Sequence, residues 1–436
     1  MPSSEGPASN LLGDDPRDGT ERRPDELGRE AFAIYLAELV GKVIEQSDSS
    51  VLALIGDWGS GKSSILELLR RKLGSDGSNW LLAEFNPWTY PDAQHLMRGF
   101  FTELLAAVPR ADRQKPVRET LGKLAQAVSP WGKLAGAFGV DGEAVLHASA
   151  DALLGLTSAS AAKRTAEEAL RDLDHPILMV IDDLDRLTPD ELLEVLKLVR
   201  LVGRLPHVYY LLAYDERTLL DVLRRTPIAG DDEGRARAYL EKIVQVRLDM
   251  PALRGTQRAN LMNEGLNSIL TANHVALTES DQQRLSDIYS EVLDRRLRTP
   301  RSINRFLGQV QASYPPLHGE VDFVDYFLVT WLRTQEPGVY ALLHRERDAL
   351  LGKVLTNWSL NPSREEEAKQ KRDWDERLRH AGVGPADHEG VARVLSSLFP
   401  KLEAVISSTR SYGGGSRNAG RRIYDPDYFD RYLNFG

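Results

Sequence analysis

The chain has 436 residues, of which 42% are apolar and 27% charged, and a formal net charge of −9. Those proportions fit a globular protein of two or three domains, and the acidic balance argues against a general nucleic-acid binder, whose phosphate contacts need clustered cations. The absence of cysteine excludes disulfides, thiolate zinc sites and thiol nucleophiles, and the scattered histidines form no HxxxH or HExxH metal pair.

Residues 1–24 mix Pro, Gly, Ser and charge with few apolar side chains, so a disordered tail is expected there. Their start lacks the basic and apolar segments of a signal peptide. No apolar run reaches the ~18–20 residues that a bilayer-spanning helix needs, which makes a cytoplasmic location the expectation. From Leu27, apolar side chains at Phe32, Tyr35, Leu36, Leu39, Val40 and Val43 follow helical spacing.

Next comes an apolar run of strand length, Val51–Ile55, then Gly56-Asp-Trp-Gly-Ser-Gly-Lys62-Ser63-Ser64 and an amphipathic run that stops at Gly74. Strand, glycine loop and helix are the context in which GxxxxGK[ST] reads as a phosphate cradle. Gly56, Gly59 and Gly61 let the backbone turn tightly and bring N–H groups onto phosphate oxygens. Trp58, Ser60 and Ser64 complete the candidate nucleotide-binding loop. The helix start adds the positive end of its dipole. Lys62 is expected to reach the β/γ-phosphates, and the Ser63 hydroxyl to ligate Mg²⁺.

A second strand is expected over Trp80–Phe85, ending in the unusual Phe85-Asn86-Pro87-Trp88. A long helical stretch of Ala, Gly and Leu then runs from Leu96 to about Leu173, glycine-rich over Ser129–Val140. Ile177–Ile181 is a buried strand leading into Asp182-Asp183-Leu184-Asp185-Arg186. Apolar residues ending in a carboxylate pair match the Walker B arrangement. Asp182 would hold Mg²⁺ opposite Ser63 and Asp183 would act as general base on the attacking water, or Asp183 and Asp185 satisfy loop N–H groups. Arg186 either pairs with Asp185 or reaches a neighbour's γ-phosphate. Thr188-Pro-Asp-Glu191 is a capping box with proline at the first helical position, opening a helix to about Val202.

Val208–Ala213 is a further buried strand, followed by Tyr214-Asp215, where Asp215 is either a γ-phosphate sensor or a turn former. Ile243–Leu248 is a fifth strand candidate. Strands alternating with helices imply a parallel sheet covered on both faces. Beyond about Ala252 the chain reads as helical, with breaks at Pro300, at Pro315-Pro316 and at the Gly413 loop. Within that region Arg298-Thr-Pro-Arg301 opens a helix from which Arg301 could fold onto nucleotide, or it is a solvated basic turn. No Asn-Lys-x-Asp guanine reader follows the loop, which favours ATP.

These residues together resemble the KAP family of P-loop NTPases. The likeness rests on the loop with its tryptophan, on Phe85-Asn-Pro-Trp88, on Ile181-Asp-Asp-Leu-Asp-Arg186, on Tyr239–Gln245 and on Thr299–Arg305. The lead-in Asp25–Phe32 and the ending Tyr424–Tyr432 also look like bacterial members. The resemblance implies an α/β fold with a five-stranded parallel sheet in the order 5-1-4-3-2, flanked by helices and followed by an all-helical region. It implies an ATP-hydrolysing switch related to STAND proteins, with Lys62, Ser63, Asp182 and Asp183 in the core roles and Arg301 as lid arginine. Bacterial relatives of this kind often look like parts of phage-exclusion or other defence systems, or act in signalling.

The implied organisation is a tail (1–24), the NTPase domain (25–250, with a helical insertion at about 100–170), a helical lid (251–340) and a helical extension (341–436). Many members carry transmembrane helices between the two motifs, but Lys133, Asp141, Glu143 and Asp151 interrupt the corresponding apolar runs here. At most Trp131, Leu134 and Phe138 would form a peripheral membrane contact within 129–140. The cofactors expected are ATP and Mg²⁺. The partners expected are one or more proteins of unknown identity and, optionally, further copies of the chain. The competing readings are a nucleotide-bound scaffold with negligible turnover and a motor acting on DNA or protein. The aromatic run Tyr424, Tyr428, Phe429, Tyr432 and Phe435 is expected to dock on the core or on a partner.

Overall fold

A computed structural model of the chain describes residues 16–21, 23–47, 49–75, 80–111, 114–128, 161, 163–202, 205–351, 364–400, 402 and 421–433. The proposed membrane-contact segment 129–140 and Phe435 lie outside the described residues. The chain divides into two compact units, Asp15–Ala252 and Leu253–Gly436.

The first unit is built on five parallel strands: β1 (Val51–Ile55), β2 (Leu81–Phe85), β3 (Ile177–Ile181), β4 (Val208–Tyr214) and β5 (Val246–Asp249). They lie in the order β2-β3-β4-β1-β5, the expected 5-1-4-3-2 order read from the other edge. Side chains alternate across a strand, so an apolar strand in the middle of a sheet feeds two cores at once. In β1, Val51, Ala53 and Ile55 enter one core while Leu52 and Leu54 enter the other. β4, central in the sheet, is buried along all seven residues. The edge strand β5 carries polar residues outward, which discourages pairing with a further chain.

One face of the sheet is covered by α1 (Glu30–Gln46) and α2 (Lys62–Ser75), whose Leu36, Val40, Ile65 and Leu69 join Leu52 and Leu54. On the other face lie α3 (Ala93–Ala107), α4 (Lys115–Val128), α5 (163–171), α6 (Pro189–Val202), α7 (Glu216–Arg224) and α8 (Glu233–Glu241). Phe85, Phe100 and Tyr210 are fully buried there, with Phe100 edge-on to Phe85 at 5.5 Å and stacked on Tyr210 at 6.4 Å. The Glu191 half of the capping box expected at α6 forms, Thr188 N–H donating to Glu191 Oε2 at 2.9 Å.

Two local expectations change. The described part of the expected disordered tail is tied to α2: Arg17 N–H donates to Ser64 Oγ at 3.0 Å, and Arg71 donates to the Asp18 carbonyl. Composition could not show this, because the bonding partners lie about fifty residues away. The fifth strand starts at Val246 rather than Ile243, since Ile243 and Val244 still bond back to Leu240 at the end of α8. Gln245 then closes the sheet edge, its side-chain Oε1 accepting from Val51 N–H at 2.6 Å.

The second unit is helical: α9 (Gly255–Ala272), α10 (Glu279–Ile288), α11 (Asp294–Arg296), α12 (Pro300–Ser313), α13 (Phe323–Gln335), α14 (Pro337–Arg345), α15 (Arg347–Leu350), α16 (Arg364–His380), α17 (His388–Leu398) and α18 (Phe429–Leu433). A π-helical turn, Tyr289–Leu293, joins α10 to α11. α13 is buried on every side from Phe323 to Leu332, as a helix apolar all round must be. Its one carboxylate, Asp325, is fully buried and accepts from Arg284 (2.8 Å), Arg422 (2.7 Å) and Ile423 N–H (3.0 Å). Burial pushes the Asp325 carboxyl up, and the two guanidinium groups oppose that. Phe429 and Tyr432 from the terminal aromatic run are buried in this unit.

Candidate functional site

The loop between β1 and α2 turns through two left-handed glycines, Gly59 (φ +76°) and Gly61 (φ +94°), a backbone region that L side chains rarely adopt. A Cβ on Gly61 would stand 2.2 Å from Arg29 Nη1, and one on Gly56 would stand 2.6 Å from Met250 Cγ. The first turn of α2 leaves the N–H groups of Lys62, Ser63 and Ser64 without intrahelical acceptors. Ser60 Oγ is buried with no hydrogen-bond partner. Lys62 is buried, and its Nζ donates to the carbonyls of Gly56 (2.8 Å) and Asp57 (3.3 Å). Ser64 faces the other way, its hydroxyl holding Arg17.

The acidic half comes from the end of β3. Ser63 Oγ donates to Asp182 Oδ2 at 3.0 Å, and Asp183 N–H donates to Asp182 Oδ1 at 2.8 Å. Burial first, and then the neighbouring Asp183 carboxylate, push the Asp182 carboxyl above its ordinary value, while the Ser63 and Asp183 hydrogen bonds and Lys62 oppose this. A hydroxyl and a carboxylate are the hard oxygen donors that Mg²⁺ takes while keeping the rest of its shell for water and phosphate. The orphaned Ser60 hydroxyl, the unbonded helix N–H groups and this oxygen pair fit a polyphosphate with its divalent cation.

Asp183 sits at φ +61°. Its Oδ1 pairs with Arg186 Nε at 2.8 Å and its Oδ2 accepts from Asn86 Nδ2 at 3.1 Å. Arg186 therefore pairs with Asp183, not with the buried Asp185, because the short helical turn Leu184–Arg186 brings residues three apart onto one side. Its guanidinium also lies over the exposed Trp88 ring, 5.2 Å from the centroid.

Asp215 turns out to be a structural cap. Its Oδ1 accepts from Thr218 N–H (3.1 Å) at the start of α7, and its Oδ2 from Trp58 N–H (2.7 Å), which ties the phosphate loop to α7. Arg301 is the second residue of α12 in the C-terminal unit, and Thr299 caps that helix. Sequence reading missed Arg29. It is buried at the start of α1, donates to the Ser60 carbonyl, and burial lowers its guanidinium from the ordinary value. A basic residue isolated just before an amphipathic helix was the signal available.

Comparison with known proteins follows the same lines. The family model described as the KAP family P-loop domain matches residues 29–316. The phage T7 exclusion protein of Escherichia coli (strain K12) is 25% identical over 328 residues, which is 67% of this chain and 42% of that protein. The chain thus spans less than half the length of that relative. Among solved structures, the Aeropyrum pernix ORC1 protein in complex with DNA aligns over 90% of this chain and 81% of its own at 15% identity, with a TM-score of 0.39. The Aeropyrum pernix ORC2 protein aligns over 89% of this chain and 99% of its own at 14% identity, with a TM-score of 0.34.

Proposed function

This chain belongs to the KAP family of P-loop NTPases, and we propose that it is a Mg²⁺-dependent ATPase whose nucleotide state is transmitted to a protein partner. The observation that carries the proposal is the meeting of Ser63 with Asp182 at 3.0 Å beside the glycine loop. In this reading the N–H groups of Gly59–Ser64 and the Lys62 ammonium bind and orient the phosphates. Ser63 and Asp182 would hold Mg²⁺, which when bound neutralises charge on the transferring phosphoryl group. Asp183 accepts the proton of the attacking water. The family resemblance gives Arg301, the second residue of α12, the role of lid arginine. Hydrolysis then resets the switch.

The relative named for phage T7 exclusion supports a role in anti-phage defence. Among the described residues no helix is long and apolar enough to cross a membrane, which supports action in the cytoplasm. Phosphate release from ATP, measured over a range of protein concentrations with Lys62→Ala and Asp183→Asn alongside, tests the proposal. Turnover in the wild type that both variants lose is expected, and a rate per subunit rising with concentration would add a homo-oligomeric site. Tight ATP binding without phosphate release would make the nucleotide a structural ligand instead. Plating of phage on cells expressing wild type or Lys62→Ala tests the defence role, and equal plaque numbers on both would remove it.

A further inference from the structure

The turn after β2, Phe85-Asn86-Pro87-Trp88, lies outside the phosphate loop, yet two of its side chains converge on Asp183. We propose that this turn is the positioning element for Asp183: Asn86 holds the carboxylate directly through its amide, and Trp88 holds it indirectly by fixing Arg186. The inference rests on Asp183 as the group that accepts the proton of water.

Sheet register delivers the turn. β2 and β3 run parallel with Phe85 opposite Ile181, so Asn86 leaves the sheet level with Asp182 and one residue short of Asp183. The short helical turn Pro87–Thr89 follows at once, with Asn86 as its cap. Pro87 has no N–H, so Trp88 supplies the first free donor, and Asn86 Oδ1 accepts it at 3.1 Å. Thr89 Oγ1 in turn donates to the Asn86 carbonyl at 2.8 Å. With its oxygen committed to the cap, the amide can present only its NH₂ end to Asp183, and Nδ2 lies 3.1 Å from Asp183 Oδ2.

Asp183 is a residue that needs holding. Its φ of +61° is a strained conformation for a non-glycine side chain and persists where the surroundings over-determine it. Arg186 Nε on Oδ1 and Asn86 Nδ2 on Oδ2 fix the plane of the carboxylate. Each carboxylate oxygen has two lone pairs, so both bonds leave acceptor capacity for a water molecule. Arg186 is held in turn by the Trp88 indole face at 5.2 Å. That contact accounts for a tryptophan left 56% exposed beside the site.

The experiment exploits the two jobs of Asn86. Asn86→Asp keeps an oxygen to cap Trp88 N–H and loses the donor to Asp183; Asn86→Ala loses both. Steady-state ATP kinetics, affinity for a non-hydrolysable ATP analogue and the thermal midpoint are measured on the full chain for both variants, for Trp88→Ala, for Trp88→Phe and for Asp183→Asn. Asn86→Asp is expected to lower kcat roughly 10- to 100-fold, the usual range for a group that orients a reacting residue. KM, analogue affinity and thermal midpoint are expected to stay near wild type. Trp88→Phe should keep most of the rate that Trp88→Ala loses.

If Asn86→Asp matches wild type in kcat while Asp183→Asn is inactive, the turn is only a cap and this inference fails alone. A parallel loss of analogue affinity in Asn86→Asp would also overturn it, by placing Asn86 in nucleotide binding. A wild type without turnover, or an active Asp183→Asn, would remove the role of Asp183 and the inference with it.

Discussion

Ser63 Oγ reaches Asp182 Oδ2 at 3.0 Å although 119 positions separate them in the chain. Sheet order makes the meeting possible. β1 and β3 flank β4, so their ends stand roughly 10 Å apart at the usual strand spacing. The glycine loop after β1 carries Ser63 across the end of β4 to the end of β3. The fully buried β4 is the spacer that sets this distance.

Lys62 is the first test of the cradle. Its ammonium is buried and is satisfied by the carbonyls of Gly56 and Asp57, so alanine there removes the only cation that the glycine loop itself supplies. Lys62→Ala is expected to lower kcat/KM for ATP roughly 100-fold or more, the scale for losing one charge-stabilising donor. Phosphate-release kinetics check this, and a variant within a few-fold of wild type would displace Lys62 from its role.

Asp182 gives a stability prediction whose sign depends on pH. Its folded-state carboxyl is raised, chiefly by burial and next by Asp183, so the fold disfavours the ionised form. That penalty is absent below the ordinary carboxylate value, grows as pH rises through the raised value, and is fully present at neutral pH. Without metal or nucleotide, Asp182→Asn should therefore melt a few degrees higher than wild type at neutral pH. The difference should fade under acid conditions. With Mg²⁺ and ATP the variant should gain less thermal protection than wild type. Melting curves at several pH values decide it, and a variant less stable at neutral pH contradicts the argument.

Arg29 and Gly61 form a coupled pair beneath the loop. Arg29→Ala leaves the Ser60 carbonyl without its guanidinium donor, and should cost about 1–3 kcal/mol and weaken ATP binding. Gly61→Ala faces both a clash with Arg29 Nη1 and a positive φ. Combining it with Arg29→Ala removes the clash alone, so the double variant should still bind ATP poorly. Recovery of binding in the double variant would show that the clash, and not the backbone conformation, governs position 61.

In the C-terminal unit, Asp325 is the link between α10, α13 and the segment before α18, through Arg284, Arg422 and Ile423. Removing a fully buried carboxylate leaves two guanidinium groups with Asp322 and, for Arg422, the Ser397 carbonyl as remaining partners, so Asp325→Ala should destabilise this unit by about 3 kcal/mol. Urea unfolding followed by tryptophan fluorescence measures it. A change below about 1 kcal/mol, the range of exposed ion pairs, would show that the network adds little.

The candidate site was legible wherever the information is local. Val51–Ile55, the glycines and Lys62-Ser63 form a strand, a loop and a helix start within a few residues of one another, and each follows from hydrophobic run length, glycine conformations and helix-end chemistry. The same holds for Ile177–Asp183 and for the capped start of α6. Where a residue's partner is distant in sequence, its type left alternatives open. Asp215 suited a sensor or a turn former, and in the structure it caps α7 while holding Trp58. Arg186 suited Asp185 or a neighbouring subunit, and paired with Asp183.

By itself, then, the sequence determined the secondary elements of the sheet, the phosphate loop, the acidic strand end and the family to which they belong. Tertiary structure decided which side chains those elements bring face to face: Ser63 with Asp182, Asn86 with Asp183, Trp88 with Arg186, and Arg29 with Ser60. The physical reason is that strand order and register fix these meetings, and both are set by burying a sheet on two faces at once, a property of the whole core that no local stretch of residues carries.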